Sequence, residues 1–286
     1  MNNDLIRFKI DGPRFKNGIP LREALSALSE FQTIIDKSYL ATINSNKLYP
    51  SDRKNYAIIA TDIGKGSLTA ELQIVVAAAI QTLPNIPIET YKNVWEITKG
   101  AYDFLKEVAL KRSSGVEPVI TVSGNVNAPI IIGNNITISN TAFNAADRTE
   151  PNFKKMTSLI NPGEIDYIES FDESGSGFQL TAVDKNLFNP KTRLDKEVFT
   201  IDCDIYKYDK ESHVGKMRVF DGQSIPARDY QFKPILSRDG HLFIHAMAQQ
   251  SVKLQVMKEI EVHTTGVERI FSLRVVSIGL CLNGGT

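Results

Sequence analysis

The texture of this chain changes once, at Arg112-Ser-Ser-Gly115, and that change constrains the fold more than any other feature. Before it lie two long segments whose apolar residues recur with a 3.6-residue period. After it come short β-branched runs separated by Gly and Asn. Helical periods in the first third and strand periods in the rest predict an α+β protein.

The first part reads β-α-β-β-α. Ile6, Phe8 and Ile10 alternate onto one face of a strand that Asp11-Gly12-Pro13 ends. From Pro20 a helix follows, with Leu21, Leu25, Leu28, Ile35 and Tyr39 along one stripe and Ala24, Phe31 and Ile34 beside it. Pro20 suits a first turn, where its missing N–H would have no partner. Tyr56–Thr61 and Ser67–Val76 form a hairpin around Asp62–Gly66. Glu89–Lys111 is the second helix, buried through Val94, Ile97, Tyr102, Leu105, Val108 and Ala109.

From Leu72 to Ile80 the chain is almost wholly apolar, with Ile74, Val75 and Val76 in succession. Consecutive apolar residues imply burial on both faces of a strand, which two helices cover only in part. The expectation is a homo-oligomer with Val75, Ile80 and Leu83 in its interface. The run falls far short of the roughly 20 apolar residues of a transmembrane helix, so no span is expected.

Beyond Gly115, Pro118–Val122, Pro129–Ile132 and Ile136–Ile138 read as strands, the last two joined by Gly133-Asn134-Asn135. Asn140–Asn152 reads as a loop and Phe153–Leu159 as one short helix. From Gly163 the pattern is all β, with late strands at Leu242–Met247, Val252–Val262 and Ile270–Ile278. The expected organisation is a β-α-β-β-α module over 1–114, a Gly/Asn-rich hairpin connector over 115–162, and a mainly antiparallel barrel-like or sandwich module over 163–286. The last is of the SH3-like or OB-like kind. Tyr167–Leu180 echoes Ile205–Val219: an aromatic-Asp pair ends a strand, a polar loop follows and Gly opens the next strand.

Hydrophobic residues at 42% and charged residues at 23% exclude a mainly disordered or collagen-like chain. Lys+Arg and Asp+Glu both total 33, so any attraction to nucleic acid or membrane must come from a local patch. Charges inside the first dozen residues predict no secretory signal, and a cytoplasmic location is expected. Cys203 alternates with Phe199, Ile201 and Ile205 and reads as a small buried hydrophobe. Free thiols are expected for Cys203 and Cys281, with a disulfide between them as the alternative.

Candidate chemistry is sparse. Asp202 and Asp204 flank Cys203 and point the same way; Asp-x-Asp pairs hold divalent cations in nucleases and phosphotransferases. Alternation alone also places both on a solvent face. His241 and His245 are four apart, a zinc spacing on a helix, but Leu242-Phe243-Ile244 favours a strand, where they would stand about 13 Å apart. No metal site is expected, and His213 and His263 read as solvated. Nucleophile-elbow, phosphate-loop and kinase signatures are absent, and Gly64-Lys65-Gly66-Ser67 reads as a turn, so no cofactor is expected. Tyr206, Lys207, Tyr208, Lys210, Lys216 and Arg218 interleave aromatic and basic residues around one barrel hairpin. OB-like barrels bind single strands with that mixture. Asp202, Asp204, Asp209 and Glu211 lie among them and weaken the local field.

The run Ile10-Asp11-Gly12-Pro13-Arg14-Phe15, the helix from Leu21, the Gly66-Ser67-Leu68 strand and the β-rich second half resemble an uncharacterised bacterial family associated with mobile elements and anti-phage defence. The resemblance implies a bacterial cytoplasmic setting and supplies no catalytic residues. The function expected is a non-enzymatic binding or assembly protein that works with a protein partner. The rivals are a metal-dependent nuclease or phosphotransferase using Asp202 and Asp204, and single-stranded nucleic-acid binding by the C-terminal barrel, which the sequence alone does not favour.

Overall fold

The computed structural model describes residues 5–16, 18, 20–54, 56–64, 68–76, 90–123, 129–188, 191–235 and 240–279. The chain divides into two units, Met1–Asn189 and Pro190–Thr286. The first contains β1 (Leu5–Asp11), α1 (Leu21–Thr42), β2 (Tyr56–Gly64), β3 (Leu68–Val76), α2 (Thr90–Ser113), β4 (Val119–Val122), β5 (Ile130–Ile132), β6 (Asn135–Ile138), α3 (Asn140–Ser158), β7 (Tyr167–Asp172) and β8 (Gly177–Thr181). The second contains β9 (Lys191–Leu194), β10 (Phe199–Asp209), β11 (Val214–Val219), β12 (Asp229–Pro234), α4 (Gly240–Ala246), β13 (Val252–Val262) and β14 (Glu268–Gly279).

The expected β-α-β-β-α start is present as β1-α1-β2-β3-α2. In the antiparallel sheet β2-β3-β1-β7-β8, Ile6, Phe8 and Ile10 alternate into the core with Leu68, Ala70, Leu72, Phe178 and Leu180. The three helices pack onto that face. α2 buries the stripe read from its sequence. α1 is rotated from its expected stripe: Ala24, Ala27, Phe31 and Ile34 are buried, while Leu21 and Leu25 are exposed. Small residues explain the rotation, because α1 lies against α3, which turns Ala142, Ala145 and Ala146 into the same core. Lys37 donates to Asn152 Oδ1 at 2.6 Å and Asn152 to Glu30 Oε2 at 2.6 Å, tying the two helices together.

The stretch 115–162 is not a connector. Gly115, at φ 81°, ends α2 with its successor's amide bonded to the Lys111 carbonyl, the left-handed stop that glycine supplies. β4, β6 and β5 then form a small sheet that buries Ile136 and Ile138 in the first unit's core. The expected loop over 140–152 is helix α3, started by Ser139, whose hydroxyl accepts from the Ala142 amide. Asn, Thr and an internal Pro151 disguise its helical period. β7 and β8, expected in the C-terminal module, complete the N-terminal sheet, so the barrel begins near 190 rather than 163. The Ile10–Phe15 motif has a structural reason. A Cβ on Gly12 would stand 2.3 Å from the Glu164 carbonyl, Phe15 is fully buried, and Arg14 pairs with Glu23 and Glu164.

The second unit is a closed five-stranded barrel, ordered β10-β11-β12-β14-β13 and shut by antiparallel pairing of β13 with β10; β9 extends β13. Every barrel pairing is antiparallel except β12 with β14. α4 lies in sequence between the third and fourth barrel strands. Strand order 1-2-3-5-4-1 with that helix is the connectivity of the OB-fold. The run Leu242–Met247, expected as a strand, falls mainly in α4: a short apolar run does not distinguish strand from buried helix, and Phe243 is the residue it buries. Cys203 is a free, buried thiol, as expected. Cys281, Ile80, Leu83 and Lys65–Ser67 lie outside the described residues. Val75 lies on β3 opposite Ala57. Among the described residues no helix is long and apolar enough to cross a membrane.

Candidate functional site

Residues of a barrel strand point alternately in and out. On β10 and β11 the inward set is Ile201, Cys203, Ile205, Met217 and Val219, all buried. Burial, with Asp204 and Asp202 nearby, pushes the Cys203 thiol up to about 12, which keeps it protonated and unreactive. The outward set is polar, and the register fixes who meets whom. Lys207 stands opposite Lys216 and Asp204 opposite Arg218; Lys216 faces Gln231 and Arg218 faces Asp229. One strand further, Gln231 faces Ser272 and Lys233 faces Arg274.

Two β-bulges extrude an aromatic side chain from this surface. Tyr206 is the extra residue of β10 between Ile205 and Lys207 and is 41% exposed. Phe271 is the extra residue of β14 between Ile270 and Ser272 and is 46% exposed. A bulge releases a residue from the in-out alternation, so both rings reach solvent without breaking the barrel core. Phe271, Gln231, Lys233, Ser272, Arg274 and Glu259 line a cavity of about 130 Å³.

Electrostatics separates two kinds of cation here. Arg218 Nε donates to Asp229 Oδ1 at 2.9 Å, and Arg274 Nη2 to Glu259 Oε1 at 2.7 Å. Arg218 holds the Asp229 carboxyl below its usual range. Burial would raise Glu259, but Arg274 and the Ser272 hydroxyl bring it below its ordinary value. Lys207, Lys216 and Lys233, by contrast, form no ion pair within 4 Å among the described residues, although their charges act at longer range on Asp209, Asp229 and Glu259. Like charges directly opposed across two strands are destabilising by a few tenths of a kcal/mol to about 1 kcal/mol.

Of the six residues expected to bind nucleic acid, Tyr206, Lys207, Lys216 and Arg218 share the outer face, and Lys210 is exposed in the adjoining turn. Tyr208 is not available. Its ring stacks 5.1 Å from Phe243 and 6.1 Å from Phe232, and its hydroxyl lies 3.2 Å from His213 Nδ1. Gln231, Lys233, Phe271 and Arg274 were not anticipated. The parallel pairing of β12 with β14 brings them beside β11, and no local sequence signal reports a parallel pairing.

The other candidates do not converge. Asp202 stands opposite Lys253 and Asp204 opposite Arg218, and among the described residues no group of three His, Cys, Asp or Glu could hold a metal ion. His241 and His245 are both exposed on α4, one turn apart. His213 is half-buried rather than solvated, and His263 is buried in the turn between β13 and β14. In a larger cavity of about 540 Å³ beside α2 and β8 most polar groups are engaged with one another: Tyr102 donates to the Gln179 carbonyl, Lys106 to Tyr102, and Thr181 to Asp184. Comparison with family models, with curated proteins and with solved structures finds no match to this chain, so its likeness to the OB-fold rests on strand order alone.

Proposed function

We propose that the barrel binds single-stranded nucleic acid, without catalysis, across the outer face of β10, β11, β12 and β14. One observation carries this reading: the opposed and exposed Lys207 and Lys216, which form no ion pair within 4 Å among the described residues, lie on the same barrel surface as two bulge-extruded aromatics. Lysines track phosphates and exposed rings stack bases, which needs no base-specific contact. The second and third strands of an OB barrel are the ones whose outer surface takes oligonucleotides in that fold. The unit as a whole has 14 Lys+Arg against 12 Asp+Glu between 190 and 286, so the local arrangement, not net charge, supports the proposal. A bacterial, defence-linked setting remains a proposal carried only by the resemblance of the Ile10–Phe15 region.

The test is fluorescence anisotropy with labelled dT and rU strands of about 12 nucleotides, a length within the roughly 4–16 covered by one OB barrel. Wild type should bind both at low salt and bind a blunt duplex more weakly. Lys207→Glu with Lys216→Glu should lose at least tenfold in affinity while keeping its circular dichroism spectrum. No binding at low salt, or equal binding by the double variant, would sink the proposal.

A further inference from the structure

We infer that two copies of this chain pair antiparallel along β5, joining their three-stranded sheets into one six-stranded sheet. β5 is an edge strand: it is bonded to β6 on one side and to no strand on the other among the described residues. Its three residues, Ile130, Ile131 and Ile132, are all exposed, Ile132 to 71%. Val119 and Val122 of β4 are exposed on the same small sheet, while Ile136 and Ile138 anchor its underside.

The surroundings are as telling as the isoleucines. From Pro118 to Ala146 the sequence contains no Asp, Glu, Lys, Arg or His, in a chain where charged residues make up 23%. Edge strands are ordinarily guarded by a charge, a proline or a bulge at the strand itself, because an open apolar edge templates pairing with another chain. Within β5 no such guard exists, and Pro129 precedes the strand rather than interrupting it. The absence of charge also selects the occupant. A basic or acidic partner finds nothing here to pair with, whereas the same uncharged edge on a second copy matches without repulsion or a buried unpaired ion. A two-fold axis makes such a contact self-complementary. Centred on Ile131, it sets Ile131 against its own counterpart and Ile130 against the partner's Ile132, using all three residues. This pairing is independent of the nucleic-acid reading and involves a different surface.

Light scattering on the full chain should give twice 31.8 kDa at micromolar concentration. Ile132→Lys, on the most exposed position, should return the mass to 31.8 kDa with an unchanged circular dichroism spectrum. Register is read by cysteine crosslinking in a Cys281→Ser background. Directly opposed residues of an antiparallel pair have Cα atoms about 4.5–5.5 Å apart, within disulfide range. Ile131→Cys should therefore crosslink to itself, and Ile130→Cys should crosslink efficiently only when mixed with Ile132→Cys. A wild-type monomer at high micromolar concentration, an oligomer that survives Ile132→Lys, or crosslinking without positional preference would each overturn the inference.

Discussion

The hairpins β7–β8 and β10–β11 carry the same local signature and end in different circumstances. In each, an aromatic-Asp pair closes the first strand and the Asp carboxylate accepts turn amides: Asp172 from Ser174 and Ser176, Asp209 from Glu211 and Ser212. The echo in the sequence is therefore an echo of turn chemistry. The surroundings differ. Asp172 also accepts from Trp95 Nε1 at 3.0 Å and Lys99 Nζ at 3.1 Å, so the turn is fastened to α2. Asp209 is held by its turn amides, the Ser212 hydroxyl and the nearby charge of Lys207, all within its own hairpin. One hairpin spends its polar groups on contacts with the rest of the fold; the other keeps its lysines Lys207 and Lys216 exposed and opposed.

The sharpest break of this contrast is Lys99→Met. It removes the cation from a half-buried carboxylate that keeps its Trp95 and turn donors, and should cost about 1.5 kcal/mol. Urea unfolding followed by Trp95 fluorescence measures it directly, because Trp95 is the sole tryptophan and touches the same carboxylate. Asp209→Ala should leave that midpoint where it is. Equal effects of the two substitutions would erase the distinction between the hairpins.

Acid sharpens the same difference. Burial would raise the Asp172 carboxyl, but the Ser174 hydroxyl, Lys99 and the Ser176 amide bring it down to about 2. A carboxyl depressed on folding contributes stability that is complete above its unfolded value, near 3.9, and is lost as pH falls toward the folded one. Trp95 fluorescence should accordingly report weakening of the first unit between about pH 4 and pH 2. Asp172→Asn should flatten that limb. A limb of unchanged depth in the variant would assign it to other carboxylates.

On the barrel, Phe271→Ala should weaken single-strand binding by about 1–3 kcal/mol, the value of one base-aromatic stack. Tyr206→Ala, at the β10 end of the cross-strand row that begins with Lys207 and Lys216, should do the same, whereas Gln179→Ala on the first hairpin should do nothing.

How much of this was legible in the sequence follows from the range of each interaction. The alternation of Ile201, Cys203 and Ile205, the buried stripe of α2 and the Val252–Val262 strand depend on neighbours within a few residues, and all were readable. α3 was hidden because Asn, Thr and Pro151 suppress its period, and its helix is held by packing of small residues against α1. Assignment of β7 and β8 to the wrong sheet has the same origin: a hairpin signal names its own two strands and is silent about which third strand, here β1, pairs with them. Half the candidate site was visible because β10 and β11 are adjacent in sequence. Lys233, Phe271 and Arg274 were not, since a parallel neighbour and a bulge leave no short-range mark.

The smallest effect tests the comparison most closely. If Lys207 and Lys216 are held opposite each other for a ligand, then removing one of them relieves a strain that the free protein carries. Lys216→Glu replaces a like-charge pair with an opposite-charge pair at the same register and should raise barrel stability by about 0.5 kcal/mol. The same change should weaken oligonucleotide binding and lower the slope of log K against log salt by at least about 0.7, the share of one phosphate contact on a single strand. Stability and binding would then move in opposite directions on a single substitution, as they do where a protein keeps a locally unfavourable arrangement for function. The control lies on the first hairpin, where Gln179 Nε2 donates to Glu169 Oε2 at 2.8 Å across paired strands. Gln179→Ala should lower stability there and leave binding unchanged. Salt governs the readout: the stabilisation by Lys216→Glu should shrink between 0.05 and about 0.5 M salt, because an exposed pair is screened over a few ångströms at the upper end. A Lys216→Glu barrel that is less stable than wild type at low salt would mean that the two lysines do not repel each other, and the argument for an anion between them would fail.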